Sequence, residues 1–76
     1  MEQTVPVTER ALIQRINRKL HAGGAKLRTA QGLAEIHMGR FYTVSFRKNR
    51  VLQQHVDLEA FGRKLGALAD FEHMEQ

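Results

Sequence analysis

Residues 40–56 read RFYTVSFRKNRVLQQHV, two apolar runs separated by a basic tetrad. Arg40 to Phe46 and Val51 to Val56 are rich in aromatic and β-branched residues, the side chains that suit a pleated surface, so they predict two strands of a hairpin. Arg47-Lys48-Asn49-Arg50 is its tip. A three-residue loop, Arg47 to Asn49, segregates the faces best. It puts Tyr42, Val44, Phe46, Leu52 and Val56 on one side, with Gln54 the misfit among them, and Phe41, Thr43, Ser45, Val51, Gln53 and His55 on the other. A slip of one residue would exchange the faces, so the register expectation carries the core assignment with it. Asn49 suits the left-handed position such a loop needs.

Working outward, Asp57 is a strong N-cap, with Val56 before it and Phe61 at the N4 position able to close a hydrophobic staple. Leu58, Phe61, Leu65 and Leu68 recur at helical spacing. Gly62 and Gly66 weaken that helix by about 1 kcal/mol each relative to alanine, which close approach to a neighbouring element would explain. On the other side, Thr8 caps a helix over residues 8–21, stapled by Val7 and Leu12, with Leu12, Ile13, Ile16 and Leu20 on one stripe. Gly23-Gly24 ends it. Lys26 to Ala30 alternates weakly and predicts a third strand, and 31–39 reads as a turn followed by an irregular or extended connection.

The expected fold is therefore α+β, order α-β-β-β-α: a small two-layer domain with a three-stranded antiparallel sheet and both helices packed on one face. Residues 8–70 form that single domain, 1–7 a flexible arm and 71–76 a frayed tail. Seventy-six residues support one thin core. No cysteine is present, which excludes disulfides and thiolate chemistry and makes a cytoplasmic setting the simplest expectation. Uninterrupted apolar runs stop at three residues and the first residues resemble no signal peptide, so no membrane role is expected.

The net charge of +4 conceals a steeper distribution. Residues 1–9 carry −2, residues 10–50 carry ten basic side chains against Glu35 for +9, and residues 57–76 carry −3. A basic middle of this kind suits a polyanion. Arg47, Lys48 and Arg50 at the tip can reach a phosphate backbone, joined by Arg15, Arg18 and Lys19 on the first helix and by Lys26 and Arg28 after the Gly-Gly turn. Phe41, expected on the open sheet face beside His55, could stack on an unpaired base. The order helix, three strands, helix resembles that of the double-stranded-RNA-binding domain. Where that family places its phosphate-clamping lysines, this chain has Asp57-Leu58-Glu59, and Gln53-Gln54-His55-Val56 replaces its glycine-and-lysine loop. The resemblance extends to topology and carries no binding residue across.

Other chemistries find less support. His21, His37, His55 and His73 lie 16, 18 and 18 residues apart, which is not the spacing of convergent metal ligands, so no metal and no cofactor are expected. Ser45 and His55 share the expected open face, but no strained turn or oxyanion loop surrounds the serine. The expectation is a small non-enzymatic protein that binds DNA or RNA through its phosphates, possible as a homodimer. The alternative is a protein–protein interaction module or homodimeric adaptor with no nucleic-acid role.

Overall fold

A computed structural model describes residues 4–75. In chain order the elements are β1 (Val5–Val7), α1 (Glu9–His21), β2 (Ala25–Thr29), α2 (Leu33–Met38), β3 (Phe41–Ser45), β4 (Arg50–Gln53), α3 (Leu58–Lys64) and β5 (Glu72–Met74). Strands β2, β3 and β4 form an antiparallel sheet in that order, and β1 pairs in parallel with β5. The chain is thus a small α+β domain around a three-stranded antiparallel sheet, as its sequence predicts, with α2 and the two terminal strands added.

Both long caps form as local sequence dictates. The Thr8 hydroxyl accepts from the Ala11 amide at 3.1 Å, and Val7 and Leu12 are both buried in the core. The Asp57 carboxylate accepts from the Ala60 amide at 3.2 Å. Leu12 and Ile16 of α1, fully buried, pack with Leu27, Phe41 and Leu58. Helix α1 packs on β2, and the main neighbour of α3 is α1. The Asn17 side chain of α1 accepts the Leu27 amide at 2.6 Å, covering a donor on the outer edge of the sheet.

The α3 helix is shorter than its apolar stripe. It ends at Lys64 because Gly66 turns left-handed (φ +77°), and the amides of Gly66 and Ala67 donate to the carbonyls of Arg63 and Gly62. Leu68 still reaches the core, carried there by the turn.

The hairpin register differs from the sequence expectation. Ser45 lies opposite Arg50, so the loop is the four residues Phe46 to Asn49, and a bulge at Leu52 puts Thr43 opposite Gln53. Asn49 does adopt the left-handed conformation (φ +53°). Phe41, Thr43 and Ser45 are buried, while Tyr42 and Val44 face outward, the reverse of the expected faces. The reason is volume. On the inner face Ala25 pairs with Ser45 and Leu27 with Thr43, and small side chains there leave room for Leu12 and Ile16 of α1. Ser45 and His55 therefore do not share a face. The Ser45 hydroxyl accepts the Lys48 amide, and His55 sits against Gly39 at the end of α2.

The ends of the chain are also paired where an arm and a tail were expected. The Val5 amide donates to the Phe71 carbonyl and the Glu75 amide to that of Val7, both at 2.7 Å. The expectation for residues 1–3 and 76 lies outside the described residues. Residues 33–38, expected to be irregular, form the one-and-a-half-turn α2, with Leu33 and Ile36 on its exposed surface. Among the described residues no helix is long and apolar enough to cross a membrane.

Candidate nucleic-acid interface

Strand alternation sends Lys26 and Arg28 of β2 to the open side of the sheet, because Ala25 and Leu27 between them are buried. The register sets Lys26 opposite Val44 and Arg28 opposite Tyr42, with Val51 on the far side of Val44. Directly opposed side chains stand about 5 Å apart at Cβ, so each apolar floor residue of β3 has a cation beside it. Met38, from the end of α2, and Phe46, from the hairpin loop, rise at the two ends of β3. Together with Arg50 these residues bound a concavity of about 350 Å³. Among the described residues no carboxylate lines it.

The remaining basic residues sort themselves by partner and by layer. The Arg15 guanidinium lies 3.0 Å from both Glu72 carboxylate oxygens and donates to the Ala67 carbonyl at 3.3 Å, so it fastens α1 to β5 instead of facing a ligand. That neighbour and the Ala69 amide, the larger influence, hold the Glu72 carboxyl below its ordinary pKa by stabilising the anion. Arg40 pairs with Glu9 at 2.9 Å, and Arg63 with Glu59 at 3.7 Å. Arg18 and Lys19 are exposed on α1, and Arg18 projects about 200° round the helix from buried Ile16. That direction points away from the sheet, so Arg18 cannot join the surface of Lys26 and Arg28.

The hairpin loop is anchored to the α1–β2 turn. The Arg47 side chain lies over Gly24, where a Cβ would come within 2.7 Å of its Cδ. The Phe46 amide donates to the Gly24 carbonyl at 3.0 Å, and the Phe46 ring packs at a tilt against His21, 5.5 Å between centroids. Lys48 stands exposed at the tip. Thus Lys26 and Arg28 share the open face and Arg50, opposite Ser45, borders the concavity at its hairpin end. Arg47 is held over Gly24, Lys48 stands at the tip, Arg15 is matched to Glu72, and Arg18 and Lys19 belong to the helix layer.

Phe41 lies inside, not on the open face where the sequence places it. It is only 6% exposed, packed in the core with the Arg40 guanidinium 5.1 Å above its ring, and cannot present a stacking face. The aromatic of the open face is Tyr42, a neighbour that the expected register had sent inward. Its signal was present in the alternation itself: Lys26-x-Arg28 and Tyr42-x-Val44 share one face once Phe41 is placed inside.

The histidines do not converge. His55 Nε2 meets the His37 carbonyl at 3.1 Å, His73 meets the Thr4 hydroxyl, and His21 stacks on Phe46. Among the described residues no three side chains of metal-ligating type come together. On the helix side of the sheet, Leu20, Leu52, Phe61 and Leu65 border a second, uncharged hollow. No family model matches the chain, and neither a curated protein nor a solved structure matches it.

Proposed function

We propose that this chain is a small non-enzymatic nucleic-acid-binding protein that takes the phosphate backbone on its open sheet face. The observation that supports this reading is that Lys26, Arg28 and Arg50 all border one concavity with no carboxylate in its lining among the described residues, while three other arginines are matched to acids elsewhere. Phosphate contacts release condensed counterions, giving affinity that falls with salt. Arg47 and Lys48 extend the positive surface past the loop.

The test is a titration of a labelled oligonucleotide by fluorescence anisotropy across a salt series. The wild type binds in the micromolar range at low salt. Replacing Lys26, Arg28 and Arg50 together by alanine removes about three phosphate contacts, so the slope of log K against log salt becomes shallower by roughly two to three. Arg18→Ala with Lys19→Ala, on the opposite layer, leaves the slope unchanged. Equal losses from the two sets would show that net charge alone attracts the oligonucleotide and that the open face is not the site.

A further inference from the structure

The concavity is more than a patch of charge, because its floor and its two ends are apolar. Tyr42 and Val44 form the floor, Met38 and Phe46 the two ends, and Lys26 and Arg28 one side. Phe46 is 45% exposed even with His21 against its ring, and Tyr42 and Val44 are only half-buried, so part of this apolar surface stays open to solvent. A phosphate backbone alone would leave it wet. Resting on the nucleic-acid reading above, we infer that the open face is built for a single strand, with one unpaired base stacked on the Tyr42 ring and its flanking phosphates held by Lys26 and Arg28.

Three features select this ligand. First, the ladder puts Arg28 beside Tyr42 and Lys26 beside Val44, so cations stand next to the stacking surface and not on a distant rim. That juxtaposition of aromatic ring and basic groove is what sequence-tolerant single-strand binding requires, since every base has a π-face to offer. Second, about 350 Å³ is at the small end of the range for ligand sites, room for one base with its sugar and phosphate. Third, the floor is recessed between Met38 and Phe46. The bases of a duplex are already stacked on one another, and a duplex backbone held on those two ends would not bring a base to Tyr42.

The chain supplies its own reporter. Tyr42 is its one tyrosine and there is no tryptophan, so ultraviolet emission comes essentially from this ring. The experiment titrates the full chain at low salt with oligothymidylate and, separately, with a duplex of equal length, reading tyrosine emission and the anisotropy of a label in parallel. Stacking quenches Tyr42 in step with the anisotropy change for the single strand, which binds at least tenfold more tightly than the duplex. Tyr42→Phe keeps that affinity within about twofold, whereas Tyr42→Leu weakens single-strand binding roughly tenfold or more and leaves the duplex affinity in place. Binding without quenching, or a duplex bound as tightly as the single strand, overturns the inference while leaving the phosphate-contact reading standing. Absence of binding to either at low salt overturns both. Should Tyr42→Leu fail to fold, the wild-type emission and the two affinities still decide.

Discussion

An alanine at Gly62 would place its Cβ 2.9 Å from Leu12 Cδ1 and 3.4 Å from the Leu68 Cβ. In an exposed helix that substitution gains about 1 kcal/mol. Here Leu12 is fully buried and its methyl group has nowhere to move, so an overpacking cost of about 1–3 kcal/mol outweighs the gain. Gly66 is the opposite case: its Cβ would meet open space, but its φ of +77° costs an L-residue about 1–2 kcal/mol. Both Gly62→Ala and Gly66→Ala therefore lower the melting temperature, by about 4–8 °C for each kcal/mol lost. Gly66→Asn is milder than Gly66→Ala, because asparagine tolerates the left-handed region. A raised melting temperature for Gly62→Ala would show that α1 and α3 do not approach this closely. At this scale the sequence was informative for Gly62, the caps and Asn49, whose roles follow from their own chemistry, whereas Gly66, expected inside the helix at a close approach, faces open space and makes the turn that ends α3. It misled at Phe41 and Tyr42, adjacent aromatics whose own preferences do not distinguish inside from outside.

Elements were legible wherever a stripe or cap repeats within one segment, and illegible where two distant segments complete each other. The hairpin shows this most directly: grouping the apolar residues favoured a three-residue loop, but the inner face is set by the space α1 leaves, which Thr43 and Ser45 fit and larger residues would not. Strands β1 and β5 span three residues each, too short for a periodic signal, and they pair across almost the whole chain, Val5 with Glu72, beside the Arg15–Glu72 contact that ties β5 to α1. The Glu59 carboxylate adds to it by accepting the Met74 amide at 2.7 Å. This junction has a pH signature. Glu72 binds its proton more weakly when folded than when unfolded, so its contribution is present above the ordinary glutamate range and is lost as pH falls through the lowered folded value. Urea midpoints compared at pH 7 and below pH 4 therefore drop further for the wild type than for Glu72→Gln, which lacks the anion at both. Equal drops would mean that the Arg15–Glu72 contact adds nothing to folding.

For the whole molecule, the charge distribution was legible as a sum and opaque as a surface. The +9 of residues 10–50 is read from the sequence as one block, but only folding divides it into cations matched to Glu9 and Glu72, exposed cations of α1, those of the hairpin tip, and the group around Tyr42. This division predicts how folding and binding respond differently to salt. In the free protein, salt weakens the exposed ion pairs, worth about 0–1 kcal/mol each, and relieves repulsion within the basic face, so the two effects oppose and the melting temperature moves by only a few degrees. In the complex there is no such cancellation. A single strand at one hundred times its dissociation constant stabilises the native state by about 2.7 kcal/mol, an increase in melting temperature of roughly 10–20 °C for a domain of this size. Raising the salt at fixed oligonucleotide concentration releases the strand and removes that increase, leaving the curve of the free protein. The variant with alanine at positions 26, 28 and 50 shows little of the increase even at low salt, while Arg18→Ala with Lys19→Ala retains it. Thermal melts of these three proteins, with and without oligothymidylate at two salt concentrations, check the prediction. An increase that survives high salt would require the apolar floor, and not the phosphate contacts, to supply most of the affinity.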